Sequence, residues 1–209
     1  MKILALENST THGSVAFLED RHAPIVFDYQ NDRKHSGVFF QSLERLSDRF
    51  RDADSIVVGL GPGSYAGVRI AIAAAIGLQT GTGAQLFGWP SICAIDPATD
   101  EYCVIGDARR ESFFFARIRA NEIIDEIGLH SEADLHARLE NVDRETPVYS
   151  SEALPQFPQA AVRYPSALLL AQLIQRGVVH ASETPLQPIY LREPYITIPN
   201  DKRNLSMLG

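Results

Sequence analysis

Cysteine is scarce in this chain: Cys93 and Cys103 are the only two among 209 residues. Two cysteines exclude a disulfide framework, and their spacing matches no CxxC-type zinc ligand set. Long hydrophobic runs are also missing. The most apolar stretch, 68–78, contains Arg69 and is far shorter than the ~20 residues needed to cross a bilayer. The opening Met1-Lys2-Ile3-Leu4-Ala5-Leu6 meets Glu7 too soon for the apolar region of a secretory signal. A soluble cytoplasmic protein with no membrane contact is therefore expected. Basic character is lacking as well, with 19 Lys and Arg against 26 Asp and Glu, a net charge of -7. Arg109-Arg110 and Lys202-Arg203 are isolated pairs rather than a stripe. Phosphate neutralisation needs a basic face, so the chain is not expected to grip nucleic acid on its own. Neither H-E-x-x-H nor H-x-x-x-H occurs, which removes the common metalloprotease patterns.

What is present reads as alternating strands and helices. Apolar strands are expected at 3–7, 14–18, 24–29 and 55–60, with a further short one at 85–88. Between them, Phe39, Leu43, Leu46 and Phe50 fall at helical spacing, which predicts a helix over 36–50 capped by Ser36. A small-residue helix is expected over 65–80, ended by Gly81-Thr82-Gly83. Cys103-Val104-Ile105-Gly106-Asp107 then repeats the pattern of Ile3-Leu4-Ala5-Leu6-Glu7, an apolar strand ending in a carboxylate. Each is followed by a polar turn, a second strand (14–18; 112–118) and a third (25–29; 122–127). A duplicated three-stranded meander followed by helices predicts two α/β subdomains, 1–98 and 99–209, with a cleft between the turns. The last segment is free to pack back on the first subdomain.

Gly61-Pro62-Gly63-Ser64-Tyr65-Ala66-Gly67 is the most informative stretch. It follows an apolar strand and opens a helix, where free backbone N–H groups can receive an anion. A dinucleotide fingerprint would place an acidic residue ~20 positions later, and Ala84, Gln85 and Leu86 stand there instead. No Lys follows the glycines, so this is not a P-loop, and Pro62 and Ala66 occupy the glycine positions of a nucleophile elbow around Ser64. A phosphate-side loop and a tight turn whose glycines serve geometry alone both remain open. Glu7-Asn8-Ser9-Thr10-Thr11 could hold magnesium or a phosphate, or form a plain hairpin turn, with Asp107-Ala108-Arg109-Arg110-Glu111 as its counterpart. His130, Glu132, Asp134 and His136 alternate as metal ligands on a strand would. Yet Ser131 begins a capping-box-like helix start, on which these side chains diverge, so no metal site is expected. The two helices of the first half carry more apolar and small-residue surface than one contact absorbs. Phe39, Phe40, Leu43 and Leu46 line one, and Ala71, Ala73, Ala74, Ala75 and Gly77 the other. That leaves room for a subunit interface.

Taken together these residues resemble the TsaB (YeaZ) family, the bacterial partner in synthesis of threonylcarbamoyladenosine at adenosine 37 of tRNA. The matching motifs run from Ile3-Leu4-Ala5-Leu6-Glu7-Asn8-Ser9-Thr10 through His35-Ser36 and the Gly61 block with Val68-Arg69-Ile70. They continue with Asp107-Ala108-Arg109-Arg110 and end at Pro188-Ile189-Tyr190-Leu191-Arg192. Little family signal lies between 123 and 185. The resemblance implies an actin-like ATPase (ASKHA, ribonuclease H-like) fold. It also implies a non-catalytic scaffold role beside TsaD, the sister family that has an H-x-x-x-H metal motif where this chain has Gly88-Trp89-Pro90-Ser91-Ile92-Cys93-Ala94-Ile95-Asp96. No catalytic residue and no metal are expected. The implied partners are a TsaD-like catalytic subunit, a TsaE-like ATPase, a second copy of the chain in isolation, and tRNA only through the complex. The expected interface comprises His35, Phe39, Phe40, Leu43, Leu46, Tyr65, Arg69 and Ala74. Glu7, Asn8, Ser9, Thr10, Gly61, Gly63 and Ser64 stand as remnants of a phosphate site. Glu7-Asn8 replaces the family's Asp-Thr and Ala66 a usual Thr, which leaves ATP or ADP a weak ligand at most. The alternative from the same turns is a free-standing nucleotide-dependent phosphotransferase or ATPase.

Overall fold

The computed structural model describes residues 1–31, 37–179 and 185–192. The first lobe opens with a meander of β1 (Lys2–Glu7), β2 (His12–Glu19) and β3 (Ile25–Gln30). Helices α1 (Gly37–Glu44) and α2 (Ser47–Phe50) follow, then β4 (Ser55–Gly59), α3 (Tyr65–Thr82) and β5 (Gln85–Trp89). A turn of 3₁₀ helix, Ser91–Cys93, leads to the second lobe. There β6 (Glu101–Asp107), β7 (Phe113–Arg119), β8 (Glu122–Ile123) and β9 (Gly128–His130) are followed by α4 (Glu132–Glu140), β10 (Val148–Ser150), β11 (Ala161–Val162) and α5 (Ala167–Gln175).

The duplication read in the sequence is present in the topology. The first sheet has the order β3-β2-β1-β4-β5 and the second β8-β7-β6-β10-β11, with β9 also on β7. In each, a central strand pairs antiparallel with its hairpin partner and parallel with the strand on its other side: β1 with β2 and β4, β6 with β7 and β10. The equivalence breaks after the second parallel strand. The first lobe crosses from β4 to β5 through α3, whereas the second crosses from β10 to β11 through a loop.

Period-2 alternation splits the first sheet between two cores. Leu4, Leu6, Val15, Ile56 and Val58 face α1 and α3, and Ile3, Ala5, Ala16 and Val57 face α5. α5 follows the whole second lobe in sequence yet covers the back of the first. Its start is fixed by the Ala167 N–H donating to Ser14 Oγ at 2.9 Å. The lobes are also joined where Trp89 Nε1 donates to the Asn121 carbonyl (3.1 Å) and Asn121 Nδ2 to the Cys93 carbonyl (3.0 Å).

Two sequence expectations are corrected. The helix expected over 36–50 is two helices, because the chain tightens where Leu46 N–H donates to the Leu43 carbonyl (2.9 Å), one residue short of an α-helical step. That turn carries Leu46 into the core. The strand expected over 122–127 is strand only at β8; residues 124–127 leave the sheet, and the chain rejoins the opposite end of β7 just beyond them, at β9. The proposed cap Ser36 lies outside the described residues.

Candidate functional site

The parallel strands β1 and β4 end side by side, and the turns after them meet. Such carboxyl ends are where open α/β sheets bind ligands. The structure brings together Glu7, Asn8, Ser9, Thr10, Gly61, Gly63 and Ser64, the residues expected there, and it packs them on one another. The Ser64 N–H donates to the Ser9 carbonyl at 2.6 Å, and Asn8 Nδ2 donates to the Gly67 carbonyl at 3.0 Å. Gly63 and Gly67 permit this approach, since a Cβ at either position would sit 2.2 Å from the Ser9 oxygen or 2.1 Å from the Asn8 oxygen. Three further N–H groups of these turns have acceptors: Gly61 on Ser91 Oγ (3.0 Å), Gly67 on the α3 cap Ser64 Oγ (3.2 Å), and Ser9 on Glu7 Oε1 (2.7 Å). Glu7, Asn8, Ser9 and Thr10 are buried, whereas Gly63 and Ser64 remain exposed. Of the two readings of the glycine block, the geometry favours close packing of turn on turn.

Glu7 is fully enclosed, and its Oε2 has no hydrogen-bond partner. Desolvation raises its pKa above the usual carboxylate range, against the lowering effect of Ser9, Ser91 and the Asn8 N–H. Around it Tyr29 donates its hydroxyl to Asn8 Oδ1 (3.1 Å), and Asn31 Nδ2 donates to the same oxygen. Burial pushes the Tyr29 phenol up, so it stays a donor. Sequence reasoning missed Ser91, Tyr29 and Asn31, since nothing local marks a serine after Pro90 as the partner of a loop thirty residues earlier.

The equivalent position of the second lobe is built differently. Arg109, Arg110 and Glu111 all have left-handed backbones, with φ of 65°, 54° and 57°. Asp107 holds the turn by accepting from the Arg109 N–H (2.6 Å) and guanidinium (2.8 Å). No helix follows β10, so a crevice of about 380 Å³ stays open between this turn and the loop after β10, lined by Asp107, Arg109, Phe113, Glu152 and Leu154 among others.

The expected interface residues divide. Phe39, Leu43 and Leu46 are core residues of the first lobe, with exposures of 0%, 7% and 1%, because one side of α1 must fill the space above β2 and β3. They cannot meet a partner, which corrects the sequence reading. Phe40 (48%), Tyr65 (52%) and Ile76 (44%) point outward instead, with Arg69 exposed and Ala74 half-buried. Arg69 donates to the Tyr65 hydroxyl at 2.6 Å. His35 lies outside the described residues. His130 and His136 stand edge-on to Phe115 and against Phe157 respectively, and among the described residues no three His, Cys, Asp or Glu side chains converge to hold a metal. Among the same residues no helix is long and apolar enough to cross a membrane.

Comparison with known proteins places this geometry. YeaZ from Pseudomonas aeruginosa superposes with a TM-score of 0.69 at 22% identity, covering 91% of this chain and 99% of that one. A second structure from that organism, of an uncharacterized protein with similarity to peptidase YeaZ, gives 0.70 over the same shares at the same identity. The fold is thus the one YeaZ has, the actin-like fold. An uncharacterized protein of Mycobacterium leprae (strain TN), ML0378, is 29% identical over 147 residues, 68% of this chain, and the chain spans only 39% of that relative's length. Residues 32–175, more than half of the chain, match the family model of TsaD, tRNA N6-adenosine threonylcarbamoyltransferase, and the chain belongs to that family.

Proposed function

We infer that this chain is a non-catalytic subunit of the TsaB type, which supports a TsaD-type transferase in threonylcarbamoylation of tRNA adenosine in the cytoplasm. The observation that carries the reading is the turn-on-turn packing at Ser9 and Ser64. The N–H groups of Gly61, Ser64 and Gly67 serve this packing, which supports a lobe that offers a partner structure rather than chemistry. The outward side chains of α1 and α3, Phe40, Tyr65, Arg69 and Ile76, supply the docking face, for a TsaD-like subunit in the working complex and a second copy in isolation. Aromatic residues and Arg are the types that dominate binding energy at interfaces. A TsaE-like ATPase joins the complex. With a net charge of -7, tRNA is held chiefly by the other subunits.

Reconstitution tests this. Modified adenosine is assayed with TsaD, TsaE and the enzyme making threonylcarbamoyl-AMP, with and without this chain. Modification that requires it supports the reading, and equal rates without it overturn it. The open crevice beside Asp107 favours one rival, a free-standing nucleotide-dependent phosphotransferase. Calorimetric titration with ATP and magnesium separates the two, since a Kd tighter than ~10 μM, roughly -7 kcal/mol, favours the rival.

A further inference from the structure

The described segment 185–192 touches both lobes within a few residues. On the first lobe, the Ile189 N–H donates to the Leu60 carbonyl at 2.8 Å, immediately after β4. Leu186 lies against Leu60 and Gly88, and its Cδ2 is 2.7 Å from where a Gly88 Cβ would stand. The Tyr190 ring meets that of Tyr65 at 5.4 Å between centroids. On the second lobe, Leu191 packs on the cluster of Ile92, Ile95, Tyr102 and Ile118. Arg192 Nη2 donates to the Arg109 carbonyl at 3.3 Å, inside the left-handed turn.

We propose that residues 186–192 form a clasp that fixes the closure of the two lobes, bridging the turn after β4 and the turn after β6 with the chain's own residues. Its anchors on the two lobes are neighbours in sequence: Tyr190 holds the first and Leu191 and Arg192 the second. An extended chain covers at most ~3.6 Å per residue, so the lobes cannot part at this mouth by more than a few ångströms without releasing one set of anchors. Both anchored loops are also held by backbone hydrogen bonds of their own. Ser64 is bonded to Ser9 on one side, and on the other the Ala108 N–H donates to the Ser112 carbonyl (2.8 Å).

The test measures the distance between lobes in the full chain, without ligand. Nitroxide labels are placed at Gln41→Cys on α1 and Glu140→Cys on α4, both exposed positions. The native cysteines are buried, with thiols pushed up from the usual range, to about 11 at Cys103, and react slowly. The parent clasp is expected to give one narrow distance distribution. Leu191→Ala with Arg192→Ala is expected to broaden it at least twofold, and the milder Leu191→Val to broaden it less. A distribution of unchanged width in the variants overturns the proposal. Should the double variant not fold, the single variants Leu191→Val and Arg192→Ala decide the matter by the same criterion.

Discussion

Ser9 and Ser64 lie 55 positions apart, yet the carbonyl of the first accepts the backbone N–H of the second at 2.6 Å. This bond closes the space between the ends of two parallel strands. Gly63 and Gly67 bracket it, and Ser91, from beyond the next strand, accepts from Gly61 on its other side. The result is a loop pair that behaves as packed structure.

The glycines are accordingly intolerant. Gly67→Ala would drive a methyl into the Asn8 carbonyl, and Gly63→Ala into that of Ser9, where backbone rather than a flexible side chain must move. Each is expected to lower unfolding stability by about 1–3 kcal/mol. Gly77→Ala, with open space around it, is expected to be neutral or slightly stabilising. Urea titration of the three variants checks the order, and equal midpoints would remove the packing argument.

Glu7 gives a pH dependence of defined sign. Its pKa is raised in the folded chain, so above the unfolded value of about 4.5 the folded state holds the proton more tightly than the unfolded one. Stability from this group is therefore greatest at acid pH and is lost as pH rises from about 4.5 through the raised folded value. Glu7→Gln removes the titration. The variant should gain on the parent as pH rises, and the difference should flatten once the folded carboxyl has ionised. Denaturation midpoints of both proteins between pH 4 and pH 8 test this, and a difference that does not change with pH refutes it.

Adjacent residues on α1 should separate folding from docking. Phe39→Ala empties a fully buried site and is expected to cost about 3–5 kcal/mol of stability. Phe40→Asp, on the outward side, should leave the melting temperature within a few degrees of the parent. Combined with Ile76→Asp, it should reduce pairing with a TsaD-type subunit at least tenfold. Calorimetry and analytical ultracentrifugation read the two effects separately.

Much of this was legible in the sequence because it depends on local signals. The runs 3–6 and 55–60 are apolar, too short for helices and bounded by turn residues, which marks buried strands. Ser64 caps α3 through the Gly67 N–H, and Gly83 ends it with φ of 73°. Ser131 caps α4 through the Asp134 N–H. The repeated strand-and-carboxylate pattern anticipated the matched sheets. Which side of α1 faces inward was not legible, since Phe39 and Phe40 are identical in type and the sheet beneath decides between them. Nor were β10, β11 and α5, which are short or apolar on most sides and carry no period that distinguishes strand from helix. Ser91 and Arg192 act through tertiary contacts alone.

The seat of α5 has a consequence for biosynthesis. Ala167 bonds to Ser14, and Gln175 reaches Asp20 at 2.9 Å, so the back of the first sheet is covered by residues made some 150 positions later. While the ribosome is still adding the second lobe, Ile3, Ala5, Ala16 and Val57 present an unprotected apolar wall. The first lobe therefore cannot mature as it emerges; closure must wait for α5, and so many distant pairings favour slow folding. A fragment of residues 1–98 should be recovered as aggregate, and co-expression with a piece carrying 99–209 should restore soluble material.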